Sequence, residues 1–256
     1  MTGYGVVMQR EFENIIFEYI AKYSTEHNVE HIWQKPVVKF ADAHSEHIRN
    51  LRNIVVDDHY LPTDFLPDAK NVLSYYLPFK KHVADSNIKN RLASAQWANA
   101  YNATNEMVPY INSYLLEVIT TKGYGAAVPQ NIGIISNSML MSRWSQRHIA
   151  WIAGHGTFGI NNMLISEKGC CGRYFSIVTS LPVIPDQIMA AERCLFKSKG
   201  NCGVCVDKCM AGALTTQSYN REQCREMCME NDAIYNGADV CGKCVVGLPC
   251  SFNSLS

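Results

Sequence analysis

The first 169 residues of this chain contain no cysteine. The formal net charge is zero, with 23 basic and 23 acidic side chains. No basic excess therefore points to nucleic acid, and no acidic tail points to a basic partner. No apolar run approaches the roughly 20 residues that a membrane span needs. The segment Met1 to Arg10 lacks the charged start and apolar stretch of a secretory signal. A cytoplasmic protein with no membrane association is the expectation. Internal repeats and low-complexity segments are missing as well.

What the chain does have is enough apolar material for a full core. Its 256 residues are 47% hydrophobic, sufficient for one large domain or for a main domain with a small module. Phe12, Ile15, Ile16, Tyr19, Ile20 and Tyr23 recur at helical spacing and predict a helix over residues 11–24. The run 36–40 is short and β-rich. Asn71 to Pro78 reads as a buried strand stopped by proline. Residues 91–121 read as a long helix or two, with Pro109 starting the second, because proline suits a first turn. Gly123 and Gly125 close that region and lead into another strand. A helix over 143–153 and strands over 163–166 and 174–179 follow. Helices alternate with strands to about residue 185, which gives an α/β or α+β class. From Ala190 onward the periodicity fades while cysteine and glycine rise. The expected domains are therefore 1–189 and 190–256.

All 11 cysteines fall between Cys170 and Cys250. A disulfide framework belongs to short exported chains, and an odd count suits it poorly. Clustered thiols in a cytoplasmic protein more often hold metal. The spacing is Cys194-x7-Cys202-x2-Cys205-x3-Cys209, then Cys224, then Cys241-x2-Cys244-x5-Cys250. A cubane cluster needs four converging thiolates, and a CxxC turn supplies two of them. In two-cluster ferredoxins the last cysteine of the first run ligates the other cluster. Applied here, Cys194, Cys202, Cys205 and Cys250 form one set for a [4Fe-4S] cluster. Cys209, Cys224, Cys241 and Cys244 form the second. One four-cysteine zinc site is the alternative, and it would leave Cys194, Cys209, Cys224 and Cys250 without a role. Cys170, Cys171 and Cys228 remain over and read as small buried hydrophobes, with Cys228 as a reserve for Cys224.

Other residues carry competing readings. Gly154-x-Gly156-x-x-Gly159 has the form of a dinucleotide fingerprint, but it follows a helix where the fingerprint follows a strand, which rejects a nicotinamide site. The glycines permit close backbone approach to a large planar ligand, or a tight turn. His155 reads as a cofactor contact or as a plain turn residue. Arg147, His148 and Arg173 read either as ligand-binding groups or as a solvated face. Trp97, Tyr101, Tyr110 and Tyr114 sit at helical spacings that favour core packing. No single residue stands out as a catalytic proton donor, although Tyr110 or another tyrosine could serve.

Several of these segments resemble a known family. Cys205-Val-Asp-Lys-Cys209-Met-Ala-Gly-Ala-Leu214 resembles the CxxxCPxGAI end of a bacterial ferredoxin motif, with Met210 in place of the proline. The stretch from Trp144 to Gly159 is similar to the SERHxAYxAGLGTFG segment of proteins related to epoxyqueuosine reductase and the corrinoid reductive dehalogenases. Leu164 to Ser166, Gly172-Arg173 and the run Leu66 to Val72 continue the resemblance, which extends from about residue 37 to 252. It implies a nitroreductase-like domain that holds cobalamin, followed by a two-cluster ferredoxin-like module that reduces it. The implied function is a cobalamin-dependent iron–sulfur reductase fed by a low-potential donor such as ferredoxin or flavodoxin. Gly154, His155, Gly156, Thr157, Phe158 and Gly159 would lie against the corrin. The alternative is a non-catalytic electron carrier, or a partner that reduces another protein's corrinoid. Two departures speak against epoxyqueuosine as the substrate. Ile135 to Met139 carries no carboxylate where the family has an acidic donor, and no C-terminal helical repeat precedes Ser256.

Overall fold

The structure is a computed structural model that describes residues 3–29, 32–130 and 140–252, with side chains from residue 7 onward. The segment Ile135 to Met139 lies outside the described residues. The elements run α1 (Gly3–Glu26), β1 (Val37–Asp42), α2 (Glu46–Arg49), α3 (Leu51–Ile54), α4 (Pro62–Phe65), β2 (Asn71–Pro78), α5 (Lys81–Ser86) and α6 (Ala95–Thr121). There follow β3 (Ala126–Ala127), α7 (Gln146–Ile152), β4 (Gly156–Phe158), β5 (Leu164–Ser166), β6 (Gly172–Thr179), α8 (Leu195–Lys199), α9 (Val204–Asp207) and α10 (Arg221–Tyr235).

A four-stranded sheet in the order β1-β2-β6-β3 organises the molecule, and every pairing in it is antiparallel. All eight residues of β2 are buried, as a central strand covered on both faces requires. Alternation along the strands divides the core. Val38, Phe40, Leu73, Tyr75, Leu77 and Ile177 share one cluster with Phe12, Ile16 and Ile20 of α1 and Met107, Ile111, Leu115 and Ile119 of α6. On the other face Ala41, Val72 and Val178 meet Ile48, Leu51, Trp144, Ile149 and Ile152. The result is helices on both faces of an antiparallel sheet, a mixed α and β fold. Among the described residues no helix is long and apolar enough to cross a membrane.

Three details differ from the sequence expectation. The region 95–121 is one helix that carries Pro109 inside it. Pro109 and Asn105 are exposed, so water can take the carbonyl that proline leaves without a donor, while the buried stripe holds the helix together. Tyr110 and Tyr114 are 56% and 39% exposed and contact Tyr23 and Tyr19 of α1 at the surface, whereas Trp97 is buried. The helix expected over 143–153 is limited to Gln146–Ile152.

The composition change near Ala190 does not interrupt the core. Cys194, Val245 and Val246 belong to the same buried cluster as the sheet and α6. Backbone bonds from Cys170 N to Cys250 O (3.1 Å) and from Cys171 N to Ser251 O (3.2 Å) fasten the last cysteine segment to the start of β6. At Gly169, with φ of +83°, a Cβ would stand 2.2 Å from Ser251 O, so this crossing of two backbones requires glycine.

Candidate functional site

All 11 cysteines are free thiols. Cys194 precedes α8, Cys205 lies in α9, Cys209 follows it, and Cys224 and Cys228 lie one turn apart on α10. Cys241, Cys244 and Cys250 lie in the irregular segment after α10.

The fold gathers these thiols around two cavities. Cys194, Cys202, Cys205 and Cys250 line a narrow one, together with Gly159, Ile165 and Leu248. That lining contains no charged side chain. Cys209, Cys224, Cys228, Cys241 and Cys244 line a second cavity of about 620 Å³, which also receives Cys170. Its other wall comes from the sheet side of the molecule: Tyr101, Gln146, Arg147, Arg173 and Tyr174. Among the described residues, no three histidine, cysteine or carboxylate side chains are grouped tightly enough for a single metal ion. The thiols instead line two open spaces.

Polar side chains fix the second cysteine loop. Asn161 Nδ2 donates to Cys244 O (2.7 Å), and Asn87 Nδ2 donates to Cys241 O (2.8 Å). Gly242, with φ of +73°, brings the turn so close to Trp97 that a Cβ would lie 2.4 Å from the indole. Lys243, between the two cysteines, is only 2% exposed, and its ammonium donates to Asn87 O (2.7 Å), Asn87 Oδ1 (3.1 Å) and Lys89 O (2.8 Å). Burial pulls the Lys243 pKa down, and the Cys241 thiolate opposes that effect.

Electrostatics differ among the thiols. Burial raises Cys205 to about 11, and it pushes Cys244 well above the usual thiol range. Cys224 is lowered to about 6, first by a hydrogen bond with Cys228, then by Tyr219 and the Arg147 charge. Arg147 donates to Asn162 O (2.6 Å), and enclosure by protein depresses its pKa although it keeps accessible surface. On the same wall Arg173 stacks 4.4 Å above the Tyr101 ring, and the Tyr101 hydroxyl donates to Asp239. Burial, then that hydrogen bond, raises the Tyr101 pKa.

The glycine segment does not face the large cavity. A Cβ on Gly156 would stand 2.0 Å from Ile165 O, because β4 pairs there with β5. A Cβ on Gly154, with φ of +81°, would stand 2.1 Å from Gln187 O. His155 is 1% exposed and bonds Ser74 O through Nε2 (3.2 Å), and burial lowers its pKa to about 3. Thr157 Oγ1 donates to Glu192 (2.8 Å), and Phe158 meets His148. Of the six residues only Gly159 lines a cysteine cavity, the narrow one. The close approach that these glycines allow is therefore to the chain's own backbone. His148 bonds Ser145 Oγ (2.7 Å), and burial lowers it to about 4, while Arg147 and Arg173 reach the large cavity.

Sequence reasoning did not single out Asn87, Asn161, Asp239 or Lys243. Only Lys243 had a local signal, a cation placed inside a CxxC turn. The others act through contacts more than 80 residues away in sequence.

No protein-family model matches the sequence, and no curated protein matches it. Solved structures do. The epoxyqueuosine reductase from Bacillus subtilis is 16% identical with a TM-score of 0.53, over 94% of this chain and 67% of that one. The one from Streptococcus thermophilus is 16% identical with a TM-score of 0.52, over 95% and 68%. An epoxyqueuosine reductase bound to a tRNA-Tyr stem loop carrying epoxyqueuosine is 16% identical with a TM-score of 0.54, over 93% and 66%. The chain shares the fold of epoxyqueuosine reductases along nearly all of its own length, and spans about two thirds of theirs.

Proposed function

We propose that this protein is an iron–sulfur oxidoreductase that holds two [4Fe-4S] clusters and delivers electrons to a ligand in the 620 Å³ cavity. The observation that carries the reading is the division of the thiols between two cavities, one of which opens on the sheet side of the molecule. Cys194, Cys202, Cys205 and Cys250 would hold the first cluster. Cys209, Cys224, Cys241 and Cys244 would hold the second, with Cys228 beside Cys224 on the same helix face. Bound clusters supply one-electron transfer at potentials set by their surroundings.

Within this reading the cavity takes a corrinoid, which would supply a strongly reducing metal centre. Support comes from the cavity's position against the second thiol set and from the fold shared with epoxyqueuosine reductases. Gln146, Arg147, Arg173 and Tyr101 would bind and orient the ligand, and Trp97, Phe79 and Val245 would exclude water. A reductase of this type draws on a low-potential donor such as ferredoxin or flavodoxin. A second reading, an electron-transfer protein without a corrinoid, is favoured by one observation. Gly154 and Gly156, in one of the two segments with a specific sequence resemblance, are closed against the chain's own backbone.

Anaerobic reconstitution followed by iron, sulfide, zinc and cobalt analysis tests the proposal. About eight iron and eight sulfide per chain are expected. Cys202→Ala and Cys241→Ala should each remove about half of the iron, and Cys170→Ala none. Stoichiometric zinc without sulfide would end the reading. Titration with cob(II)alamin separates the two forms of it, since only the corrinoid form gives a bound paramagnetic signal.

A further inference from the structure

Lys243 presents a physical difficulty that the fold alone does not resolve. It is among the largest fully buried side chains, and its ammonium meets only neutral oxygens, those of Asn87 and Lys89. Among the described residues no carboxylate reaches it: Asp239 accepts from Tyr101 and Glu230 pairs with Arg91. Lys208 is a nearby like charge. A buried cation without a counter-charge is expensive, and proteins keep one where an anion compensates it.

The cluster proposed for the second thiol set is such an anion. Four thiolates bring more negative charge than an iron–sulfur core offsets, and each added electron increases the excess. Lys243 lies between Cys241 and Cys244 in sequence and lines the same cavity, where Arg147 stands as a second cation. The narrow cavity of Cys194, Cys202, Cys205 and Cys250 has no charged side chain in its lining. The second set thus shares its cavity with Lys243, Arg147, Arg173 and the single carboxylate of Asp239, a net positive lining, whereas the lining of the first is uncharged.

We infer that Lys243 is a positioning and tuning residue whose buried ammonium holds the Cys241–Cys244 turn against the loop at residues 87–89 and raises the reduction potential of the second cluster above that of the first. Electrons then run downhill from the charge-free site toward the large cavity, because the added negative charge is stabilised next to a cation. The inference rests on the iron–sulfur reading and adds a direction to it.

The test is a potentiometric titration of the anaerobically reconstituted full chain, followed by electron paramagnetic resonance. Two one-electron steps are expected in the wild type. Lys243→Gln should lower the upper step and leave the lower one in place. The expected size is at least a tenfold change in how an electron divides between the clusters, about 59 mV for a one-electron couple. Asn87→Asp is the second variant. It keeps the lysine but sets a carboxylate against its ammonium, and the upper step should fall likewise. Unmoved midpoints in both variants, or two steps that fall together, would overturn the inference. If neither variant retains the second cluster, Lys243 is a tether alone and the tuning role is refuted. A wild-type chain that takes up no iron and sulfide instead removes the underlying reading, and that result precedes any variant.

Discussion

The sheet region and the cysteine segment are held together by different means. Between Val37 and Val183 the core is dense: β2 has no exposed residue, and two buried clusters cover its faces. Between Cys194 and Ser251 the helices have 5, 4 and 15 residues, and the longest buries only Met227 and Asn231. The local apolar cluster there contains just Cys205, Leu214 and Leu248 as buried members. The first region is stabilised by apolar burial. The second has little of its own beyond Cys194, Val245 and Val246, which it lends to the core of the sheet. If the proposed clusters are held there, the free energy of ligation is folding free energy. A region poor in regular structure is therefore not necessarily weak, since its order can reside in bonds to a bound group.

The largest effect should come from removing that group. Chelation of iron from the reconstituted protein is expected to abolish amide-exchange protection across 194–250 while β2 and β6 stay protected. Equal protection in both states would erase the contrast. Leu73→Ala strikes the other region: its side chain is fully buried in the central strand, and its loss should cost about 3 kcal/mol of stability. Denaturant unfolding would show this, with the iron content of the folded protein unchanged. A smaller effect comes from pH. His155 is buried neutral, with a pKa lowered to about 3 in the fold, against about 6.5 in the unfolded chain. Below pH 6.5 the unfolded chain takes up a proton that the fold refuses, so stability falls as pH falls, until the folded group titrates as well. From this residue alone the loss at pH 5 should be about 2 kcal/mol. His155→Gln should reduce that slope between pH 6.5 and 5, leaving the part that the likewise lowered His148 and His59 contribute, and an unchanged slope would remove His155 as a source.

Where local chemistry decides, the sequence is readable. Phe12, Ile16, Ile20 and Tyr23 mark the buried face of α1, and the run from Asn71 to Pro78 marks the central strand. Pro109 misleads because tolerance of a proline depends on whether its freed carbonyl meets water, which is a matter of tertiary placement. Tyr110 and Tyr114 mislead because helical spacing says which residues share a face but not what lies opposite. The glycines at 154 and 156 show a need for close approach, yet composition cannot say that Gln187 and Ile165 are what approaches. Asn87 and Lys243 become a pair only once the chain has returned across more than 150 residues.

The strand order also carries a temporal consequence. β2 lies beside β6, whose residues follow it by about a hundred positions, so Leu73 waits for Ile177 to leave the ribosome before the sheet can close. Cys194 and the thiols after it emerge later still. Vectorial synthesis thus completes the sheet before it presents most of the cysteines. A circular permutant that placed residues 190–252 ahead of α1 would reverse that schedule while keeping the strand order of the sheet.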